Sequence, residues 1–460
     1  MPADRSCWKV MALAGWVALF GLVFCQAQAN VVVFQEPFDT DTPDRATTVA
    51  TYTNLSWGGS GDAVVQSGVL SLGPPSQDVR TPTGFAGDLV IQAKAGSDPG
   101  GGSGNVGLRI GGNRLIFHPA YTGGAFRVDG PNGFGNQNMG FTPAGGGTLH
   151  QMQVIGNGAS GLFLISVVEA NDPSRVFTAS FTNPGYSPGT DQIGVTRSAS
   201  TSIVAGTFDD LIIGQMPNET WTSEIYQSNP LHWYRFEETG SQVAVDFGSG
   251  QLHGLYEGGA ELGQGEPGLV GNGVRFDGVD DRILLGGSRL SSTTPWTAEF
   301  IVDKLAAKTY AMLLTEDDFG SDKVNLRLDQ SPDSQVGFTR QDVADYRFSP
   351  PVYAPVDEFI HLTFAGDPSS GVDVYINGEH EGHHSAFVEL PRWYISRPES
   401  SYTLNAILDE VVLYDRALSP QEILNHYKYA FSIPEPASVI LFSLGGLALV
   451  LWRRRRQPAG

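Results

Sequence analysis

The chain has 460 residues, 57 of them glycine, and a net charge of −21. That length leaves room for two or three domains at ~150 residues each. The acidic balance argues against nucleic acid or anionic lipid as a partner. Short apolar stretches between glycine-rich turns predict an all-β protein.

The first 29 residues have a charged start (Arg5, Lys9), an apolar run from Val10 to Phe24 and the small-residue site "AQA" ending at Ala29. This pattern predicts a secretory signal peptide over residues 1–29, cut between Ala29 and Asn30; the alternative is an uncleaved anchor. Both cysteines, Cys7 and Cys25, lie in this segment. A chain cut after Ala29 has no disulfide and no thiol chemistry.

Residues 30–215 read as a first block of strands, with "VVVFQEPFDTD", "SGVLSLG", "GNVGLRI", "LHQMQVIGNGASGLFLISVVEA" and a closing "GTFDDLIIG". Residues 216–228 read as a linker. Residues 229–430 form a second block. It opens on "LHWYRFE", where alternation puts Leu231, Trp233 and Arg235 on one face and His232, Tyr234 and Phe236 on the other. "GVRFDGVDDRILL" reads as strand, turn, strand, and Asn377-Gly378 as a hairpin turn. The block ends in a strand and a short helix, with Ser419 as N-cap, Pro420 at the first position and Glu422 closing a capping box.

The second block resembles the LamG-like jelly-roll family, the concanavalin A-like sandwich. The resemblance rests on "WYRFEETG" with "VAVDFGSGQLHG", on "GVRFDGVDDRILL" and on "LDEVVLYDRALSPQEI". "FDDLIIG" echoes "LDEVVLY", so the first block is expected to be a second sandwich of this kind. The expected fold is therefore two tandem antiparallel jelly-roll sandwiches. The resemblance also implies that some members hold calcium in acidic loops, or between their first and last strands. Asp277, Asp280 and Asp281 share one turn and are the better calcium candidates, because that ion takes six to eight hard oxygens. Asp409 and Glu410 in the second block, and Asp209 and Asp210 with Glu36 and Asp39 in the first, are further candidates. Each has the alternative of solvated or edge-protecting charge. Glu316, Asp317, Asp318 and Asp322 make a further acidic loop, with a solvated loop as its default.

"HEGHH" at His380 to His384 matches the zinc-protease pattern only formally. That chemistry needs a helix, which sets the two histidines about 6 Å apart. A hairpin strand sets them ~13 Å apart. The paired acids of a glycosidase, about 5 to 9.5 Å apart in one cleft, have no matching E-x-D-x-x-E string. Exposed rings stack on sugars, and Trp57, Trp221, Trp296, Trp393 and Tyr394 lie near turns or in polar company. Trp57, Trp393 and Tyr394 are the ligand-binding candidates, with core packing as the alternative.

The chain closes on "IPEPASVILFSLGGLALVLWRRRRQPAG". As a helix, residues 437–452 reach ~24 Å, near the ~30 Å of a hydrocarbon core, and Arg453, Arg454, Arg455 and Arg456 would stay cytoplasmic. The order Pro434-Glu435-Pro436, apolar helix, arginine cluster resembles the PEP-CTERM sorting signal over residues 433–457. The resemblance implies passage through the Sec machinery, cleavage by an exosortase and a place at the cell surface or outside it. The reading is an exported, non-enzymatic protein that binds exopolysaccharide, other glycan or surface protein, with structural Ca²⁺ as its one candidate cofactor. A polysaccharide hydrolase or lyase and a ligand-free spacer are the alternatives.

Overall fold

In the computed structural model of the chain, the described residues are 31–431 other than 43–51, 53–54, 59–62, 74–76, 98–104, 119–123, 157, 159, 199–204, 217–220, 318–319, 398 and 400. The expected signal peptide with Ala29 and Asn30, and the C-terminal stretch with Pro434, Glu435, Pro436 and Arg453 to Arg456, lie outside them. No helix among the described residues is long and apolar enough to cross a membrane.

The first block contributes β1 (Val31–Glu36), β2 (Ser56–Gly58), β3 (Ala63–Gln66), β4 (Val69–Leu72), β5 (Gln77–Gly84), β6 (Asp88–Ser97), β7 (Asn105–Ile110) and β8 (Asn113–Phe117). It continues with β9 (Ala125–Asp129), β10 (Gln137–Asn138), β11 (His150–Gly156), β12 (Leu162–Val168), β13 (Val176–Thr182), β14 (Gln192–Ser198) and β15 (Gly206–Met216). One sheet runs β13-β12-β11-β6-β15-β4-β3, with β1 also on β15; the other runs β10-β9-β8-β7-β14-β5-β2. Every pairing is antiparallel, so turns and loops suffice to join the strands. The core between the sheets includes Phe38, Leu108, Phe117, Val154, Phe163, Phe208 and Ile213.

The second block contributes β16 (His232–Tyr234), β17 (Val243–Ala244), β18 (Gly254–Glu257), β19 (Gln264–Pro267), β20 (Asn272–Asp277), β21 (Arg282–Gly287), β22 (Trp296–Lys304) and β23 (Met312–Thr315). It continues with β24 (Val324–Gln330), β25 (Gln335–Arg340), β26 (Ala344–Arg347), β27 (Phe359–Asp367), β28 (Gly371–Ile376), β29 (Glu379–His384), β30 (Arg392–Ile395) and β31 (Asn405–Tyr414). Its sheets run β29-β28-β27-β22-β31-β20-β19, with β16 on β31, and β17-β18-β21-β30-β23-β24-β25-β26. Apart from the extra β17, strand for strand this is the order of the first block. The echo between "FDDLIIG" and "LDEVVLY" is thus an echo of position: β15 and β31 are the last strands and occupy the same place. The second core includes Tyr234, Phe276, Trp296, Phe300, Phe338, Phe364 and Leu413.

Local signals act as the sequence predicts. Asn377 and Gly378 both have positive φ, 54° and 78°, and turn β28 into β29 in a two-residue loop. The capping box at Ser419 and Glu422 starts the C-terminal helix, α2 (Pro420–Ala430), the second of two α-helices among the described residues.

The first is α1 (Trp221–Gln227), and here the expected linker differs. Trp221, Thr222 and Ile225 are buried on one face. A seven-residue helix is marginal alone, so this one forms by packing. A third apolar cluster joins Val90, Ile155, Leu162 and Leu164 of the first sandwich to Trp221, Ile225, Ile301, Val412, Tyr414 and Ile423. Residues 221–227 are therefore a wedge between two sheets. Trp221→Ala is expected to cost about 3–5 kcal/mol, seen as a lower urea midpoint. A loss under about 1 kcal/mol would show that the ring does not hold the sandwiches together.

Candidate functional site: a buried acid cluster and an exposed acid loop

In a regular strand, neighbouring side chains leave on opposite faces. Leu408 and Val411 both enter the second core, yet they are three residues apart. A register shift against β22 explains this, since Ile301 pairs with Glu410 and Val302 with Leu408. Asp409 is the extra residue of a β-bulge. The bulge directs both Asp409 and Glu410 away from the core. The same irregularity occurs in β15 between Asp209 and Ile212, where Phe208 and Leu211 are the core residues that flank Asp209 and Asp210.

The two bulges meet different surroundings. Asp409 and Glu410 are fully buried in the middle of β31. Glu410 accepts from Trp233 Nε1 at 2.6 Å and from Arg235 Nε at 3.1 Å. Arg235 also lies 3.8 Å from Glu237. Asp409 Oδ2 accepts from the Leu269 and Val270 amides at 2.6 Å each. The Glu237 carbonyl takes side-chain amides from the first sandwich, Gln92 at 3.0 Å and Gln153 at 3.2 Å. Burial pushes Glu410 up to about 7, against the pull of Arg235. Burial, with Glu410 and Glu237 close by, carries Asp409 well above the carboxylate range. The alternation read in "LHWYRFE" positions this site: Trp233 and Arg235 share the face toward Glu410, and Tyr234 and Phe236 enter the core.

A second buried group was not singled out in the sequence. Glu299 on β22 meets His426 Nδ1 of α2 at 2.9 Å and His361 Nε2 of β27 at 3.3 Å. The other ring nitrogen of His426, Nε2, lies 2.9 Å from Ser228 Oγ at the end of α1. The connectivity is that of a serine–histidine–acid relay. The hydrogen bonds read otherwise. Ser228 Oγ donates to the Glu224 carbonyl at 3.0 Å, so it accepts from the imidazole. The Ser228 and Asn229 amides donate to Glu224 and Tyr226 carbonyls and are not aimed at an oxyanion. Burial opposes charge on Glu299, but His426 and His361 pull it down to about 2. Burial likewise lowers His426, and Glu299 outweighs it, so the imidazole is raised. An imidazolium clamped between Glu299 and Ser228 latches α1 to α2 and to the sheet. No local motif announces it, because its four residues come from distant parts of the chain.

The exposed candidate is the β20–β21 turn. Asp277, Asp280 and Asp281 each offer an oxygen within 4.8 Å of the others, and theirs is the one such group among the described residues. Two ligands on bonds of ~2.4 Å can be no farther apart than that, so the spacing fits calcium. Gly278 takes φ 81° in the bend, and Asp281 Oδ2 accepts from the Asp277 amide at 2.8 Å. Burial, then Asp277 and Asp280, raises Asp281 to about 6. Lys308 Nζ donates to the Gly278 carbonyl at 2.6 Å, which engages that oxygen.

Lys94 Nζ sits 2.5 Å from Asp210 and 3.9 Å from Asp209, so a lysine answers these acids. Glu36 Oε1 accepts from the Phe38 amide at 3.1 Å and Asp39 is exposed; they do not gather with Asp209 and Asp210 into a ligand group. Glu316, Asp317 and Asp322 pair with Arg289, Lys323 and Arg340, and Asp318 lies outside the described residues. "HEGHH" is a strand, and His380 and His383 both approach Asp373 Oδ1 at 2.9 Å. Trp221 and Trp296 are fully buried, which corrects the expectation of rings in polar company. Trp393 and Tyr394 are half-buried on β30, and Arg282 lies over the Tyr394 ring at 6.0 Å. Trp57 pairs with Val79 in β2, and its side chain is outside the described set.

The shifts fix a sign for pH dependence. Glu410, raised to about 7, contributes stability below the ordinary glutamate range that is lost as pH rises through about 7. His426, raised, contributes below the ordinary imidazole range and loses it as pH rises through its own raised value. Glu299, lowered to about 2, contributes above the ordinary glutamate range and loses it only in strong acid. The urea midpoint should peak near about pH 5 and fall as pH rises through about 7. Glu410→Gln should flatten that fall; a profile flat from the start would contradict the buried acid cluster.

Residues 277–424 match the family described as the concanavalin A-like lectin/glucanases superfamily, and residues 432–456 match the PEP-CTERM protein-sorting motif. No curated protein matches the chain. Among solved structures, domain 4 of AbnA, a GH43 extracellular arabinanase from Geobacillus stearothermophilus in complex with arabinotriose, aligns at 15% identity and TM-score 0.32, covering 43% of this chain and 98% of that one. Trypanosoma rangeli sialidase in complex with sialic acid aligns at 12% identity and TM-score 0.33, covering 81% and 68%. The Emp47p carbohydrate recognition domain aligns at 12% identity and TM-score 0.29, covering 41% and 94%. The chain carries a concanavalin A-like domain of the lectin/glucanase superfamily, followed by a sorting motif that marks it for export to the cell envelope or surface.

Proposed function

We propose that the protein is an exported, non-enzymatic component of the cell surface or extracellular matrix, that it binds glycan or protein surfaces, and that an exosortase processes its C-terminus. The observation that carries this reading is the fate of the raised acids: Asp281, at about 6, has its oxygen within 4.8 Å of those of Asp277 and Asp280, closer than the ~5–9.5 Å of a glycosidase pair, and the acids of the joint are sealed in. In a glycosidase, a carboxyl raised toward neutrality faces the sugar and donates a proton. Here Glu410 and Asp409 are fully buried, and Glu410 is committed to Arg235 and Trp233. Their shifts belong to the joint between the sandwiches and leave loops and sheet faces for binding.

Calcium fits the reading at one place. Asp277, Asp280 and Asp281 would hold the ion in the β20–β21 turn, with water completing a shell of six to eight oxygens. The carboxylates must be ionised to bind. Asp281, raised to about 6, makes affinity fall as pH drops below about 6. Asp281→Asn should weaken calcium binding at neutral pH by at least about tenfold, measured by calorimetry. An unchanged titration would remove this turn as the site.

A glycan array probed with the full-length protein, with and without EDTA, tests the function. Binding to glycans without sugar release supports the proposal, and loss of signal in EDTA assigns calcium a part in it. Release of sugar from a polysaccharide by the purified protein would overturn the non-enzymatic reading. For the sorting step, the mature protein from its native host is expected to lack Arg453 to Arg456 by mass spectrometry. A product that keeps them would leave a permanent membrane anchor instead.

A further inference from the structure

We propose that the cleft between the two sandwiches is a binding site for an uncharged oligosaccharide, with Tyr226 as its stacking platform; this rests on the glycan-binding reading above. The cleft has a volume of about 470 Å³, within the ~300–1,000 Å³ typical of small-ligand sites. Three parts of the chain form it. Thr178 and Ser180 come from β13 at the edge of the first sandwich. Tyr226 and Asn229 come from α1 and the residues after it. Phe247 and Gln251 come from the loop after β17 in the second sandwich.

The chemistry of this lining is selective. In a chain of net charge −21, none of the side chains lining the cleft is charged. Hydroxyl and amide groups offer donors and acceptors without fixed charge, and two aromatic rings offer apolar faces. A neutral sugar presents the same pair of surfaces, hydroxyls at its rim and C–H bonds on its faces. An anionic sugar would find no cation among these side chains.

The platform is exposed but positioned. Tyr226 keeps 40% of its surface open, and its hydroxyl shares a 2.9 Å hydrogen bond with Ser180 Oγ of the other sandwich. The ring is therefore held at both ends, by its helix and across the cleft. Asn229 adopts φ 51°, the left-handed conformation that asparagine tolerates. Ser228, between these two, is fastened to His426. Pre-organisation of this kind lowers the entropy cost of binding.

The test is a neutral-oligosaccharide panel, titrated by calorimetry against the full-length protein and two variants, alongside a uronic-acid panel. Wild type is expected to bind a neutral member. Tyr226→Ala should weaken it at least tenfold and, losing the Ser180 hydrogen bond, lower thermal unfolding slightly; Gln251→Ala, at an exposed side chain, should weaken it severalfold with thermal unfolding unchanged. Tyr226→Phe, which keeps the ring, should lose less than Tyr226→Ala. If neutral sugars bind wild type and both alanine variants equally, the cleft is not the site, although the glycan reading stands. If only uronic acids bind, the uncharged cleft is overturned as well. If the wild type binds no saccharide, the glycan reading itself falls.

Discussion

Two adjacent residues of a β-strand cannot both avoid the core unless the strand breaks step. The bulge at Asp409 makes that break in β31, and the joint between the sandwiches depends on it. Leu408 and Val411 stay in the core, while two carboxylates face the first sandwich. Burying them unanswered would cost several kcal/mol each. Arg235, the Trp233 indole and the Leu269 and Val270 amides answer them. Those partners lie on β16, just after it, and in the loop before β20, so the bulge also dictates how the block begins. A buried ion pair of this sort adds little net stability, yet losing one partner is expensive.

The rest of the joint follows from the same surface. Once the outer face of β22, β27 and β31 is covered, its remaining polar groups must be satisfied internally. Glu299 and His361 lie there, and α2 brings His426 to them. His426 in turn holds Ser228, which ends α1. The wedge helix is thus fixed by an apolar face and by one titratable contact. A chain whose two cysteines both lie in its first 29 residues has no disulfide to do this work.

Much of this could be read from local pattern. The hairpin at Asn377-Gly378, the capping box at Ser419 and the alternation in "LHWYRFE" each depend on a few consecutive residues, and each stands as read. The repeat of "FDDLIIG" in "LDEVVLY" was legible as an echo. What it meant was not, because a bulge depends on the register of the neighbouring strand, which no single strand encodes. The Glu299, His361 and His426 cluster was invisible for the same reason: its members are up to 127 residues apart. The segment with Trp221 looked like a linker because seven residues carry weak helix propensity, and only the covering sheets supply its stability. Asp409 and Glu410 are calcium candidates in the sequence through the resemblance alone; in the fold Asp409 takes the Leu269 and Val270 amides, and Glu410 does meet a cation. That cation is a guanidinium.

The comparison between the two bulges shows how one motif is adapted by its cover. In β15 the acids lie at the surface and Lys94 answers them, its own side chain about half exposed. A flexible ammonium suffices there, because water supplies the remaining hydrogen bonds and the pair contributes little. In β31 the acids are sealed, and Arg235, from the segment just after β16, takes the place of the lysine. A guanidinium has five donors in a fixed plane and is more weakly hydrated than an ammonium, so it tolerates burial beside Glu410 and Glu237 and stacks over the Trp233 ring at 5.1 Å. The choice of cation therefore follows from whether a second sandwich covers the bulge. Two domains with the same strand order are thereby made unequal: one keeps its acid pair in solvent, and the other gives its pair to the joint.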